Sequence, residues 1–146
     1  MVEIFLAFLG SICPGVIYNV EKRNLMWVGF GGMLGWITYR TFNEITKSLV
    51  LASFLGAVIV GIYSESVARL LKAPATIFSV PGIIPLVPGI AAYSTIQHVA
   101  ENQLYEAASK GIETMSGAGA IAFGILLASA VFRLTKKLKK RGPNPS

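Results

Sequence analysis

The sequence predicts an all-α integral membrane protein of five transmembrane helices, the fourth interrupted by a Pro/Gly-rich unwound segment. Three observations carry that prediction. The 146 residues are 53% hydrophobic and only 14% charged, against roughly a quarter charged in a soluble domain. The charged residues leave five long uncharged windows, 4–20, 24–39, 48–64, 73–100 and 114–132. Three of the seven prolines crowd into residues 81–88 of the fourth window.

A helix rises about 1.5 Å per residue, so roughly 20 apolar residues cross a hydrocarbon core of ~30 Å. On that measure the expected spans are about 4–20, 24–40, 48–64, 76–98 and 114–134, a single bundle over 1–135. The first begins at Glu3 rather than at a basic region and lacks a small-x-small cleavage site before Pro14, so it reads as a retained helix and not a cleaved signal. The second is short but bracketed by Arg23 and Arg40, with Trp27, Trp36 and Tyr39 suited to membrane interfaces. The third carries Ser53, Ala57 and Gly61 at every fourth position. The fifth carries Ser116, Ala120, Gly124 and Ala128, and Gly31 and Gly35 form a similar pair in the second. Such stripes let backbones approach closely in lipid.

The net charge of +6 is a property of the tail. Arg133, Lys136, Lys137, Lys139, Lys140 and Arg141 crowd the C-terminus, while residues 1–132 balance seven cations against seven acids. A nucleic-acid surface would spread its basic residues over the fold, so that function class is excluded. The segment 136–146 reads as a basic cytoplasmic tail lying against anionic lipid, disordered over 142–146. With five crossings and the N-terminus outside, the inner side receives Lys22, Arg23, Arg69, Lys72 and the six tail cations. The outer side receives Arg40, Lys47 and Lys110. That asymmetry predicts an inner-membrane protein with the N-terminus outside and the C-terminus cytoplasmic.

The fourth window breaks the pattern of the others. Residues 79–89 read Ser-Val-Pro-Gly-Ile-Ile-Pro-Leu-Val-Pro-Gly. Each proline deletes a backbone donor and clashes with the carbonyl four residues back, so no regular helix runs through Pro81, Pro85 and Pro88. Freed backbone groups in lipid cost several kcal/mol each. Irregular chain at this depth must therefore face protein or a water-filled cavity, the construction that transporters use for a solute site. Ser79, Tyr93, Ser94, Thr95 and Gln97 flank the break with uncharged hydrogen-bonding groups. No acid lies inside any window. Glu65, beside Tyr63, Ser64 and Ser66 at a window edge, is the candidate for ion coupling.

No catalytic, metal or cofactor site is expected. The chain has no Asp, no Gly-x-Ser-x-Gly and no His-Glu-x-x-His, the motifs of common hydrolase chemistries. His98 is the only histidine and Cys13 the only cysteine, too few for a closed metal site.

The run Ser-Val-Pro-Gly-Ile-Ile-Pro-Leu-Val-Pro-Gly-Ile-Ala-Ala-Tyr over 79–93 resembles the signature of the threonine/serine exporter family. The chain is similar to the small subunit of the family's split form, known in bacteria for export of dicarboxylates such as succinate. Fused members join a similar C-terminal half to a larger N-terminal half that this sequence lacks. The resemblance therefore implies a larger partner subunit and a small polar metabolite as substrate. Carried over onto this chain, the pattern implies Pro81, Gly82, Pro85, Pro88 and Gly89 as the residues holding an unwound backbone open, and Tyr93 as a hydroxyl facing the solute. Ser79, Ser94 and Gln97 join them on chemistry and position. A homo-oligomer is also compatible with so apolar a surface. The competing reading, a non-transporting scaffold or holin-like pore-former, explains the size and the tail but leaves the three prolines without a role.

Overall fold

A computed structural model describes residues 2–140, with side chains through Thr135. The contacts expected of the basic tail and the disorder expected at 142–146 lie outside the described residues. Within them the chain forms six α-helices: α1 Val2–Ile17, α2 Lys22–Thr46, α3 Leu49–Leu71, α4 Thr76–Gly82, α5 Gly89–Ala100 and α6 Leu104–Lys140. A 3-10 turn, Ile84–Leu86, links α4 to α5. The expected all-helical character holds for these residues. Helix ends follow local chemistry. Ser48 caps α3 by accepting from Leu51 N–H, while Lys47 and Lys72 close α2 and α3 in the left-handed region, with φ of 52° and 53°.

The expectation of five spans is not met. By length and composition α3 and α6 (over Leu104–Thr135) can cross a membrane, and a third crossing is available only if Thr76–Leu86 and Gly89–Ala100 count as one bent span. The physical reasons differ between helices. The 16 residues of α1 rise about 24 Å, short of a ~30 Å core. The 25 residues of α2 are long enough, but its Asn, Thr and glycine content and its charged ends dilute its apolar character. The charge asymmetry worked out for five crossings loses its basis with them.

The core is a row of helices in which α2 packs between α1 and α3, and α3 between α2 and α6. Small residues set the distances. A methyl group at Gly61 would fall 2.6 Å from Ala128 Cβ, and one at Gly124 would fall 2.8 Å from Phe54 O. The buried stripe of α6 is Gly117, Ile121, Gly124 and Ala128; Ser116 lies one position off it and is exposed. Arg40 pairs with Glu3 and Glu44, joining the start of α1 to the end of α2.

The first arm of the broken segment, α4 and its 3-10 turn, is wedged among α1, α2 and α3. It contributes Phe78 to one core cluster, with Val20, Val28, Val67 and Ala68. It contributes Leu86 to another, with Ala57, Val60 and Ile121. Leu86 sits where α2 and α3 touch through Gly35 and Gly56; a methyl at Gly56 would lie 2.6 Å from Leu86 Cδ2 and 3.1 Å from Gly35 O. The second arm turns away by 54°. It packs on the early part of α6, Thr95 against Gly111 and Pro88 against Gly117. Gly117 also meets Leu49, the first residue of α3. The α6 residues before it therefore run past the end of α3 and pack chiefly on α5.

Candidate functional site

The elbow between the two arms is built by the prolines. Pro85 opens the 3-10 turn, Leu86 N–H donates to Ile83 O at 2.9 Å, and Val87 N–H donates to Ile84 O at 3.2 Å. Val87 is then extended, with φ −60° and ψ 129°, and Gly89 N–H closes onto Val87 O at 2.7 Å. The amides of Leu86, Val87 and Gly89 thus find local partners, whereas no backbone carbonyl among the described residues accepts from Ile84 N–H. Acceptors are left over as well: no backbone amide among the described residues donates to the carbonyls of Pro85 or Leu86. Spare carbonyls are expected here, because proline removes donors and leaves every carbonyl in place.

Around this elbow lies an open cavity of about 410 Å³, within the ordinary range for small-molecule sites. Its lining joins the elbow (Pro85, Pro88, Gly89, Ser94) to Trp36 and Tyr39 of α2 and to Lys110 and Glu113 of α6. Lys110 Nζ and Glu113 Oε2 are 2.8 Å apart and both half-exposed, so the cavity wall carries one charge of each sign. Trp36 stacks near Tyr39 with ring centroids 5.4 Å apart, and its indole N–H is buried with no acceptor among the described residues. Trp36 and Pro85 also line an apolar groove of about 300 Å³ toward α1, lined there by Leu6, Ala7 and Gly10.

Of the residues singled out from sequence, Pro85, Pro88, Gly89 and Ser94 come together at this cavity. The others are dispersed. Pro81 and Gly82 are buried in the first arm, Gly82 against Val60. Tyr93 is 68% exposed on the outer face of α5. Gln97 donates to Glu101 Oε1 at 3.0 Å on the exposed surface. Ser79 and Glu65 line a different cavity at the opposite end of the first arm. Sequence reading passed over Trp36, Tyr39, Lys110 and Glu113 as site residues. The first two read as interface anchors and the charged pair as loop, although the i, i+3 spacing of Lys110 and Glu113 on a helical stretch was a usable signal.

Among the described residues no group of three or more His, Cys, Asp or Glu side chains could hold a metal ion. The chemistry on offer is recognition: free carbonyl acceptors, a serine hydroxyl, an unpaired indole donor and a mixed-charge pair.

No solved structure matches the chain. A curated relative from Haemophilus influenzae, described as an uncharacterized protein, is 25% identical over 138 aligned residues. The match covers 89% of this chain and 46% of that protein, so the chain spans about half the length of the curated relative it matches. The profile of the family described as Threonine/Serine exporter, ThrE, matches residues 3–131. That match takes in every helix from α1 through the apolar stretch of α6 and includes the proline-rich elbow, so the chain belongs to the threonine/serine exporter family of membrane transporters.

Proposed function

We propose that this chain is the membrane subunit of a two-component secondary exporter, and that the elbow cavity is where a small polar metabolite is held. The observation that carries the reading is a single cavity at a proline-built break, lined by Lys110 and Glu113 together with Pro85 and Leu86, whose carbonyls receive no backbone amide. A wall bearing both signs suits a zwitterion such as threonine or serine. Its carboxylate meets Lys110, its ammonium meets Glu113 and the elbow carbonyls, and the internal ion pair is exchanged for two pairs with the solute. A dicarboxylate such as succinate would gain from Lys110 but meet repulsion from Glu113.

A larger partner subunit supplies the other half. The feature that supports it is the α5 face carrying Ile90, Tyr93 and Ile96, which is 68–86% exposed. Lys22, Arg23, Arg69, Lys72 and Arg133 gather at one end of the bundle. At the other lie Arg40, Lys47 and Lys110, of which Arg40 and Lys110 are paired with acids. By the positive-inside tendency the first end faces the cytoplasm, which puts the end of α6 on that side. Glu65, half-buried at that cytoplasmic end, is the coupling candidate.

The test is efflux from cells preloaded with threonine or succinate and co-expressing this chain with the larger subunit. Lys110→Met and Glu113→Gln should each lower threonine efflux about tenfold or more, the scale of one lost charge-assisted hydrogen bond. If both variants export threonine at the wild-type rate, the elbow is not the solute site. If Glu113→Gln instead raises succinate efflux while Lys110→Met abolishes it, the substrate is the dicarboxylate.

A further inference from the structure

The opposite end of the first arm carries a second cavity, of about 430 Å³, whose character is different. Its charged lining is Arg69 and Lys72 from the end of α3, Arg133 from α6, and one carboxylate, Glu65. Glu65 and Arg69 are one helical turn apart, yet no ion pair joins them among the described residues. Arg69 is held elsewhere: its Nη2 donates to Phe132 O at 2.9 Å and its guanidinium lies 4.7 Å over the Phe132 ring. That guanidinium bridges α3 to α6 and keeps its remaining N–H groups at the cavity. Thr76, Ser79 and Ser129 add hydroxyls, and Ala68, Ile125 and Phe132 form an apolar floor.

The depth of this cavity is fixed by the two helices that can cross a membrane. Glu65 is the first charge after the apolar stretch of α3, and Arg133 the first after the apolar stretch of α6. The three cations therefore ring the edge of the hydrocarbon, at headgroup level, with apolar side chains directly beneath them. Basic pockets between spanning helices at this level suit lipid phosphate, and each basic residue near an anionic surface contributes roughly 1 kcal/mol of attraction.

We infer that this cavity is a phosphate oxyanion site that takes the headgroup of an anionic phospholipid, with Lys72 and Arg133 as its movable cations and Arg69 as its fixed one. The excess of three cations over one carboxylate selects a lipid with net negative charge over a zwitterionic one. The acyl chains lie along Ile125 and Phe132. The site is independent of the solute cavity, which lies at the other end of the first arm and is lined by different residues.

The experiment is native mass spectrometry and thermal unfolding of the purified chain in detergent micelles. Phosphatidylglycerol, phosphatidylcholine or inorganic phosphate is added in separate arms. Wild type should retain phosphatidylglycerol and rise in melting temperature with it, and do neither with the other two. A double variant, Lys72→Gln with Arg133→Gln, should bind phosphatidylglycerol about tenfold or more weakly, given two lost cations. The control, Lys22→Gln with Arg23→Gln, removes the same charge from the same end of the bundle and should bind as wild type. Lys72→Gly guards against a folding artefact. Lys72 is left-handed with φ 53°, a conformation that favours glycine, so this variant should fold at least as well while still losing lipid. Equal weakening in both double variants would reduce the site to diffuse surface charge and overturn the inference. So would equal retention of phosphatidylcholine, or stabilisation by inorganic phosphate that matches that by phosphatidylglycerol.

Discussion

The two arms of the broken segment are near equals in length, Thr76–Leu86 and Gly89–Ala100, and both are apolar. Their fates are opposite. The first places Phe78, Pro81, Gly82 and Leu86 in the interior, whereas the second has no buried residue at all. The neighbours explain the difference. The first arm meets α2 and α3 where glycines leave room for its side chains. The second has α6 for support, and against it shows Ile90, Tyr93, Ile96 and Val99 to the outside. A proline break in a small bundle thus does two jobs at once. It lets one half serve as a structural pin and turns the other half outward, with the unpaired carbonyls stranded at the joint. The two ends of the pin differ in charge as well: a balanced lysine–glutamate pair at the elbow, and an excess of cations at the other cavity.

The sharpest way to break this comparison is to empty the pin. Phe78 is fully buried among Val20, Val28, Val67 and Ala68. Phe78→Ala should cost about 3 kcal/mol or more, read as an earlier midpoint when the protein is unfolded by SDS titration in mixed micelles. A loss under about 0.5 kcal/mol would mean that the first arm is no better anchored than the second.

A smaller effect with a more specific consequence is expected at Gly56. Its extra methyl would lie 2.6 Å from Leu86 Cδ2, with Gly35 O at 3.1 Å blocking retreat on that side. Gly56→Ala should therefore cost about 1–3 kcal/mol and push the 3-10 turn toward the elbow cavity. Efflux should fall more than the residual folded fraction accounts for. Stability lost with activity per folded molecule intact would uncouple the pin from the site.

How much of this was legible beforehand depends on which physical signal is asked. The prolines located the break only in part: Pro85 and Pro88 fall in it, whereas Pro81 and Gly82, expected in the unwound stretch, belong to α4, and Pro14 lies inside α1. The small-residue stripes pointed to close backbone approach without naming the partners, which are Ala57 and Gly61 against Gly124 and Ala128. The helix bounds were missed for a definable reason. Charge-free windows mark apolar depth and not helix ends: α2 runs on through Arg40 and Glu44 to Thr46, and α6 starts at Leu104, ahead of Glu106, Lys110 and Glu113. Charged residues are good helix formers, so a helix crosses the boundary of its own apolar window without a signal. The same blind spot hid the site. Lys110 and Glu113 fell outside every window, and only the folding of α5 back along α6 brings them to the elbow. Tyr93, chosen by its place in the motif, faces outward for the same tertiary reason.

That outward face yields the smallest effect on stability and the cleanest discrimination between the arms. Tyr93 and Ile96 are 68% and 70% exposed. Truncating either to Ala in the isolated chain should change stability by no more than about 0.5 kcal/mol, as at other exposed positions away from caps and cores. The larger subunit reads the same change differently if it covers this face. Aromatic and aliphatic anchors at the centre of an interface commonly cost 2 kcal/mol or more when truncated, so the Tyr93→Ala, Ile96→Ala pair should fall out of the complex on affinity purification through a tag on the partner. Phe78→Ala makes the informative companion. It should weaken the chain and yet, in whatever fraction stays folded, leave that co-purification unchanged. If the two variants behave alike in both measurements, the arms are not functionally distinct and α5 is simply a helix that faces lipid.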